Sequence, residues 1–338
     1  MNLTPPLDPA LLERAFGLYR LPRVLFAAAE LGIADHLAHG PRSVAALAKL
    51  TGTHAATLGS LLEILHGYGV FARQPDGFYA LTPFSQRLVR GAENGANVPF
   101  LLGWVGLPAI YEAFGDLGHT LRTGENAFRA RHGADFYDYL AEHPEDARLY
   151  ERAMESTADG FAAGAKAYDF SGFHTLVDVG GGQGAYAAAI LERYPQLTAI
   201  CYDLPQVVAQ ARTGAAGERL KFIGGNMFDS VPAGADAYLT STVLRCFDDE
   251  RCLKLLRCIR RAMTPHSKLL AKEMLIPEAR DNVLMSMADL TARLLYGGRD
   301  RTEQEYVSLF HQAGLRHTQT VPTTGTLAIM ETEPAGGV

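Results

Sequence analysis

Apolar residues recur at helical spacing through the first half of the chain. In the second half they switch to short strands alternating with helices. Leu11–Tyr19 and Arg23–Leu31 place apolar side chains three and four residues apart, which predicts two helices. A third runs from Ser43, a natural N-cap, to Gly52, a natural stop. Thr57–Gly67 predicts a fourth, and Val70–Leu81 a hairpin turning at Asp76-Gly77. Helix-turn-helix with a wing is therefore the expected form of residues 1–95, a mostly helical domain. Residues 96–170 read as all-helical and hold Trp104, Tyr111, Phe114, Phe128, Phe136, Tyr137 and Tyr139. Such aromatics pack a core, and Trp104 is a candidate to line a flat apolar substrate pocket. From Thr175 strands are expected at Thr175–Val179, Ala199–Tyr202, Leu220–Ile223, Ala237–Thr240, Lys268–Glu273 and Thr326–Met330. The alternation implies an α/β domain over 171–338, Rossmann-like, with a parallel, doubly wound sheet. Ligands bind such sheets at the carboxyl ends of the strands.

Composition narrows the function classes. With 338 residues, 48% hydrophobic and 20% charged, the chain is an ordinary globular protein with room for two domains. Its net charge of −6 offers no global attraction for nucleic acid or an anionic membrane. Helix-turn-helix units often read DNA. Here residues 1–100 carry eight Lys/Arg against seven Asp/Glu, and the second helix, HAATLGSLLEILHGYG, has no Lys or Arg to touch phosphate. Its Leu-rich face suits burial, and with Leu11–Leu31 it offers more apolar surface than one small domain needs. A homodimer is expected. The four cysteines form no C-x-x-C pair, so neither a zinc site nor a disulfide framework is expected, and the cytoplasm is the default location. The N-terminus has no signal-peptide pattern, and Ala96–Tyr111, the most apolar stretch, is too short and too rich in Gly and Pro to span a bilayer.

The densest chemistry lies in Leu176-Val-Asp178-Val-Gly180-Gly-Gly182-Gln-Gly184. A strand ending in glycines and feeding a helix makes a nucleotide cradle, because backbone N–H groups can approach the ligand. The run fits G-x-G-x-x-A of dinucleotide enzymes through Gly180, Gly182 and Ala185. It equally fits acid-x-G-x-G-x-G of S-adenosylmethionine (SAM) binders through Asp178, Gly180, Gly182 and Gly184. Hydride transfer and methyl transfer both remain open at this point. Asp203, about twenty residues on, stands where an acid takes the ribose hydroxyls. In Gly224-Gly-Asn226-Met227-Phe228, an amide and two large apolar groups suit an adenine ring.

With LVDVGGGQG, YDLPQVV, GGNMF, DAYLTSTVLRCFDDE and GGRDRTEQEY in order, nearly the whole chain resembles the small-molecule O-methyltransferases, typified by plant caffeate-type enzymes and bacterial natural-product methyltransferases. The resemblance implies methyl transfer from SAM, released as S-adenosylhomocysteine, to a small aromatic or heteroaromatic metabolite. It implies that Asp178 and the glycines hold the methionine part, that Asp203 binds the ribose, that Met227 and Phe228 sandwich the adenine, and that Leu204 belongs to the cofactor site. Asn226 stands at the family's acidic position, Ser241 at its Lys and Phe247 at its Trp. Met154 and Asp289 match substrate-facing positions.

Arg245 is the main departure, because the family's general-base His belongs there. Arg stays protonated and cannot accept the proton. The flanking acids match Glu273 and Asp300. Three accounts remain open. Arg245 is a structural partner of Glu273 or Asp300 and catalysis needs only proximity; or the acceptor needs no base and Arg245 fixes an anion on it; or methyl transfer is lost, and the chain decarboxylates, hydroxylates or rearranges its substrate with SAM retained. A SAM-sensing regulator is the reading outside enzymes. His132 is a candidate to approach the substrate, although a packed or solvated His is the commoner case.

Overall fold

The computed structural model describes residues 20–90, 106–155, 158–211, 214–277, 282–323 and 326–336. The chain divides into two compact units. One takes the residues up to Tyr111 with Glu145–Ser156, and the other takes Glu112–Pro144 with everything from Thr157. Residues of the 96–170 stretch fall in both. The expected helix Leu11–Tyr19 and Trp104 lie outside the described residues.

The first unit is mostly helical. Helices Leu21–Glu30, Ile33–Leu37, Val44–Thr51 and Ala55–Gly67 precede two antiparallel strands, β1 (Phe71–Arg73) and β2 (Tyr79–Leu81). Ser43 caps its helix by accepting from the Ala46 N–H at 3.2 Å, and Gly52 ends it in the left-handed region at φ 66°. Ile33, Leu47, Leu62, Leu65 and Phe71 close the core. Full burial of each such side chain stabilises the fold by about 1.5–3 kcal/mol.

Among the described residues the second unit is built on seven strands: β3 (Thr175–Val179), β4 (Thr198–Asp203), β5 (Leu220–Gly224), β6 (Ala237–Ser241), β7 (Lys268–Met274), β8 (Leu315–Pro322) and β9 (Leu327–Pro334). Their order is β5-β4-β3-β6-β7-β9-β8. Strands β3 to β7 run parallel as expected, but β9 is antiparallel to β7 and β8 antiparallel to β9. The expectation of a parallel sheet is corrected at that edge. Too few residues separate β8 from β9 for a crossover, so the pair is a hairpin. Strand β8 was not anticipated: it is an edge strand rich in polar residues, and only Leu315 is buried.

Residues sharing a row across parallel strands point to the same face. Cys201, Asp178, Leu239 and Leu270 are in register, and Ser241 lies beside Lys272. Asp178, Ser241 and Lys272 therefore share one face near the carboxyl ends, while Glu273 points to the other. This is where an open α/β sheet holds its ligand.

Candidate active site

The glycine run after β3 turns sharply. Gly180, Gly182 and Gly184 have φ of 74°, 58° and 79°, values that side chains rarely adopt. Gly181 is required for another reason: a Cβ there would lie 2.7 Å from the Asp178 carboxyl and from Cys201 Sγ. The loop thus folds directly over the Asp178 carboxylate. Asp178 is buried, and neither of its oxygens has a hydrogen-bond partner among the described residues. Burial lifts its pKa to about 7; the Asp203 charge adds to this and Lys272 opposes it. A buried acid with both oxygens open is built for a cationic group. Asp203, ending β4, accepts from Gly182 N at 2.8 Å and from Leu204 N at 2.7 Å. Burial raises its pKa while those two bonds pull it back.

Past β5, Asn226 Oδ1 accepts from Phe228 N at 3.0 Å and shapes the turn that presents Met227 and Phe228, both half-buried. Phe247 meets Phe228 edge-on with centroids 5.0 Å apart, and the Arg251 guanidinium lies over both rings. Ser241 Oγ is buried and makes no bond among the described residues. Sulfonium nucleoside chemistry fits these residues: an open buried acid for the ammonium, a second acid beside the glycine loop for the ribose, and an apolar pair for the adenine.

Arg245 sits on the short 3₁₀ turn Leu244–Cys246. Its Nε donates to Asp300 Oδ1 at 2.6 Å, and Nη2 donates to Asp300 Oδ2 at 2.9 Å and to Ala288 O at 3.1 Å. Burial disfavours its charge, but the Asp300 carboxylate outweighs this and holds Arg245 above its ordinary range. Asp300 in turn donates its backbone N–H to Asp289 Oδ1 at 2.9 Å, and Asp289 Oδ2 accepts from Arg293 at 3.0 Å. Glu273 has a different job: its Oε1 accepts from Val243 N and Leu244 N at 3.0 and 2.9 Å, anchoring the turn that carries Arg245. Its other oxygen is buried without a bond among the described residues, and burial lifts its pKa to about 7.

The other expected site residues are more scattered. His132 packs between the rings of Phe128 and Tyr139, with centroids 4.5 and 5.2 Å away. Met154 is half-buried and belongs to the first unit. Three features were not anticipated. Arg301 is wholly buried and donates to Leu244 O, Phe247 O and Asp249, pinning both ends of the Arg245 turn. Gly298 packs so tightly under that turn that a Cβ would lie 2.2 Å from Arg245 O. Lys272 is buried on the face of β7 that it shares with Asp178 of β3. The sequence signal for all three was presence inside the quoted motifs or beside Glu273, without a role attached.

Two family models match the chain: an O-methyltransferase domain over residues 114–316 and an O-methyltransferase dimerisation domain over 13–91. The phenazine O-methyltransferase PhzM of Lysobacter antibioticus is 35% identical over 97% of this chain and 97% of its own. The 8-amino-8-demethylriboflavin N,N-dimethyltransferase of Streptomyces davaonensis is 32% identical over 93% of this chain and 92% of its own. Among solved structures, the O-methyltransferase NcsB1 from neocarzinostatin biosynthesis, in complex with SAM and 2-hydroxy-5-methyl naphthoic acid, is 30% identical with a TM-score of 0.82, covering 93% of this chain and 96% of that one. With its motifs, its seven-stranded mixed sheet and its dimerisation domain, the chain belongs to the O-methyltransferase family and is a SAM-dependent methyltransferase.

Proposed function

We propose that this enzyme methylates oxygen or nitrogen on a small aromatic or heteroaromatic metabolite that reaches the site as a ready nucleophile. The carrying observation is the Arg245–Asp300 clamp. A permanent cation, tied by two parallel bonds to a buried acid, stands where the family resemblance puts a base. When bound, SAM supplies a methyl on a sulfonium; the acceptor lone pair forms the new bond as the sulfur takes the electrons of the old one. The chain's own contribution is alignment and exclusion of water, which can supply much of the barrier reduction. In this reading Asp178 and Gly180, Gly182 and Gly184 hold the methionine part. Asp203 and Leu204 hold the ribose, and Asn226, Met227, Phe228, Ser241 and Phe247 surround the adenine end. Asp289, Met154, Trp104 and His132 are assigned to the substrate. Arg245 is 12% exposed, and its Nη1 edge, which makes no bond among the described residues, is offered to an acceptor anion. The relatives' names support the substrate class: a phenazine, a flavin amine and a hydroxynaphthoic acid are all flat aromatics.

The test is a panel of phenols, acidic phenols, aromatic acids and ring-nitrogen heterocycles, read by mass spectrometry. Methylation of the ready nucleophiles and not of simple phenols is expected. Arg245→His is expected to gain slight activity on simple phenols without improving the preferred acceptor. The replaced base also favours a second reading, a SAM-retaining enzyme of another reaction class. Tight SAM binding with no methylated product from the whole panel would establish it.

We further assign residues 1–95 to dimer formation, 96–170 to the substrate pocket and 171–338 to cofactor and catalysis. Ile64 and Tyr68 remain exposed at the end of helix Ala55–Gly67, which supports a homodimer. A monomer by light scattering at micromolar concentration contradicts this. The cytoplasm is the proposed location, since four buried free thiols suit a reducing compartment. No helix among the described residues is long and apolar enough to cross a membrane.

A further inference from the structure

Lys272 is a buried cation with no place in the chemistry described above. It is 2% exposed, and among the described residues it makes no ion pair. Its Nζ donates to Gly160 O at 3.2 Å and sits 4.6 Å from the Tyr186 ring centroid and 5.1 Å from that of Phe161. An ammonium boxed by two aromatic faces keeps its charge more readily than one in bare hydrocarbon. The sheet register puts it on the face of Asp178, two strands away, with Leu239 and Ser241 of β6 between them. Asp178, in turn, has no hydrogen bond among the described residues to stabilise its charge. A buried carboxylate without one protonates unless an opposite charge is near.

We propose that Lys272 is the positioning cation of the cofactor site, raising the ionised fraction of Asp178 before SAM arrives. The proposal rests on the reading that Asp178 takes the cofactor's ammonium. Other groups act on Asp178. Asp203 and Cys201 face it from β4, and the Asp203 charge opposes ionisation; Tyr186 faces it from helix Ala185–Arg193; Glu273 acts on Lys272 from the opposite face of β7. Lys272 is the cation among them. Burial lowers its pKa to about 8, so it remains largely charged at neutral pH.

Lys272→Met and Lys272→Gln are the variants, the second keeping a donor for Gly160 O. Calorimetry of SAM binding from pH 6.5 to 9, in two buffers of different ionisation heat, reads affinity and proton release together. At pH 7 both variants are expected to bind at least tenfold more weakly than native protein. The deficit shrinks toward pH 9, and more protons are released on binding, because SAM must now drive Asp178 to ionise. Thermal melts without ligand give an independent readout: both variants lose stability more steeply than native protein as pH rises above 7, and adding Asp178→Asn shrinks the difference to the part that Lys272's own ionisation near 8 contributes. A native-like affinity, or a deficit constant across the pH range, overturns the proposal. If Asp178→Asn alone binds SAM normally, the reading of Asp178 fails, while the melts still report whether Lys272 and Asp178 are coupled.

Discussion

Arg245 grips Asp300 through two near-parallel hydrogen bonds of 2.6 and 2.9 Å, and the Asp300 side chain has no exposed surface. Removing one partner of such a pair leaves a buried charge uncompensated, at a cost of about 3–5 kcal/mol. Arg245→Ala is therefore expected to lose that much stability in urea unfolding, and Arg245→Ala with Asp300→Ala to lose less. A single-variant loss below about 1 kcal/mol, the range of a surface pair, would show that the clamp is not formed in solution.

The pH–rate profile follows from the same site. Arg245 does not titrate in the working range, so no base with the ordinary His value of about 6.5 should appear. Asp178 and Glu273 both ionise near 7; with SAM saturating, so that Asp178 no longer limits, Glu273 is left, and its carboxylate anchors the Arg245 turn. Any acid limb near 7 in kcat at saturating SAM is expected to vanish in Glu273→Gln. A limb that survives Glu273→Gln while His132→Ala abolishes turnover places the base on His132 and sinks this account.

Stability should oppose binding at the buried acids. The folded-state pKa of both Asp178 and Glu273 is raised, so the stability linked to their protons is present at low pH and lost as pH rises through about 7. Asp178→Asn is expected to melt higher than native protein at pH 8 and to lose SAM binding. A lower melting temperature at pH 8 would mean that Lys272 stabilises the Asp178 carboxylate by more than its burial and the Asp203 charge cost it.

Much of this was legible in the sequence. The five parallel strands were placed to within a residue or two, because apolar runs followed by turn residues mark buried strands well. Strand β8 escaped because an edge strand facing solvent carries little apolar signal. The acids around Arg245 were found, but their division of labour was not. Glu273 bonds the backbone of Val243 and Leu244 and leaves Asp300 to the guanidinium. Such a choice depends on which face of β7 meets which loop. Arg301 was missed for a similar reason: nothing in a local pattern tells a buried Arg with backbone carbonyl partners from a solvated one.

Asp203 offers a binding prediction. It holds Gly182 N and Leu204 N and is assigned to the ribose, so Asp203→Ala loosens the loop and deprives the hydroxyls of acceptors. SAM affinity measured by calorimetry is expected to fall by about 1–3 kcal/mol. Unchanged affinity would move the ribose elsewhere.

Two glycines carry steric predictions. Gly181→Ala sets a methyl 2.7 Å from the Asp178 carboxyl, and Gly298→Ala sets one 2.2 Å from the Arg245 carbonyl. Overpacking of this kind costs about 1–3 kcal/mol. The first should impair SAM binding selectively, and the second should disturb the acceptor side. Equal effects of both on SAM affinity would contradict the separation.

The alternation of β7 gives that separation a genetic meaning. Lys272 and Glu273 are adjacent in the chain, yet one faces Tyr186 and Phe161 and the other faces the Arg245 turn. Losing or gaining one residue upstream in β7 would slip the strand by one place and exchange the two faces. The cation would land under the acceptor and the acid under the donor. Point substitutions can retune either half of the enzyme independently, but the length of this strand cannot drift.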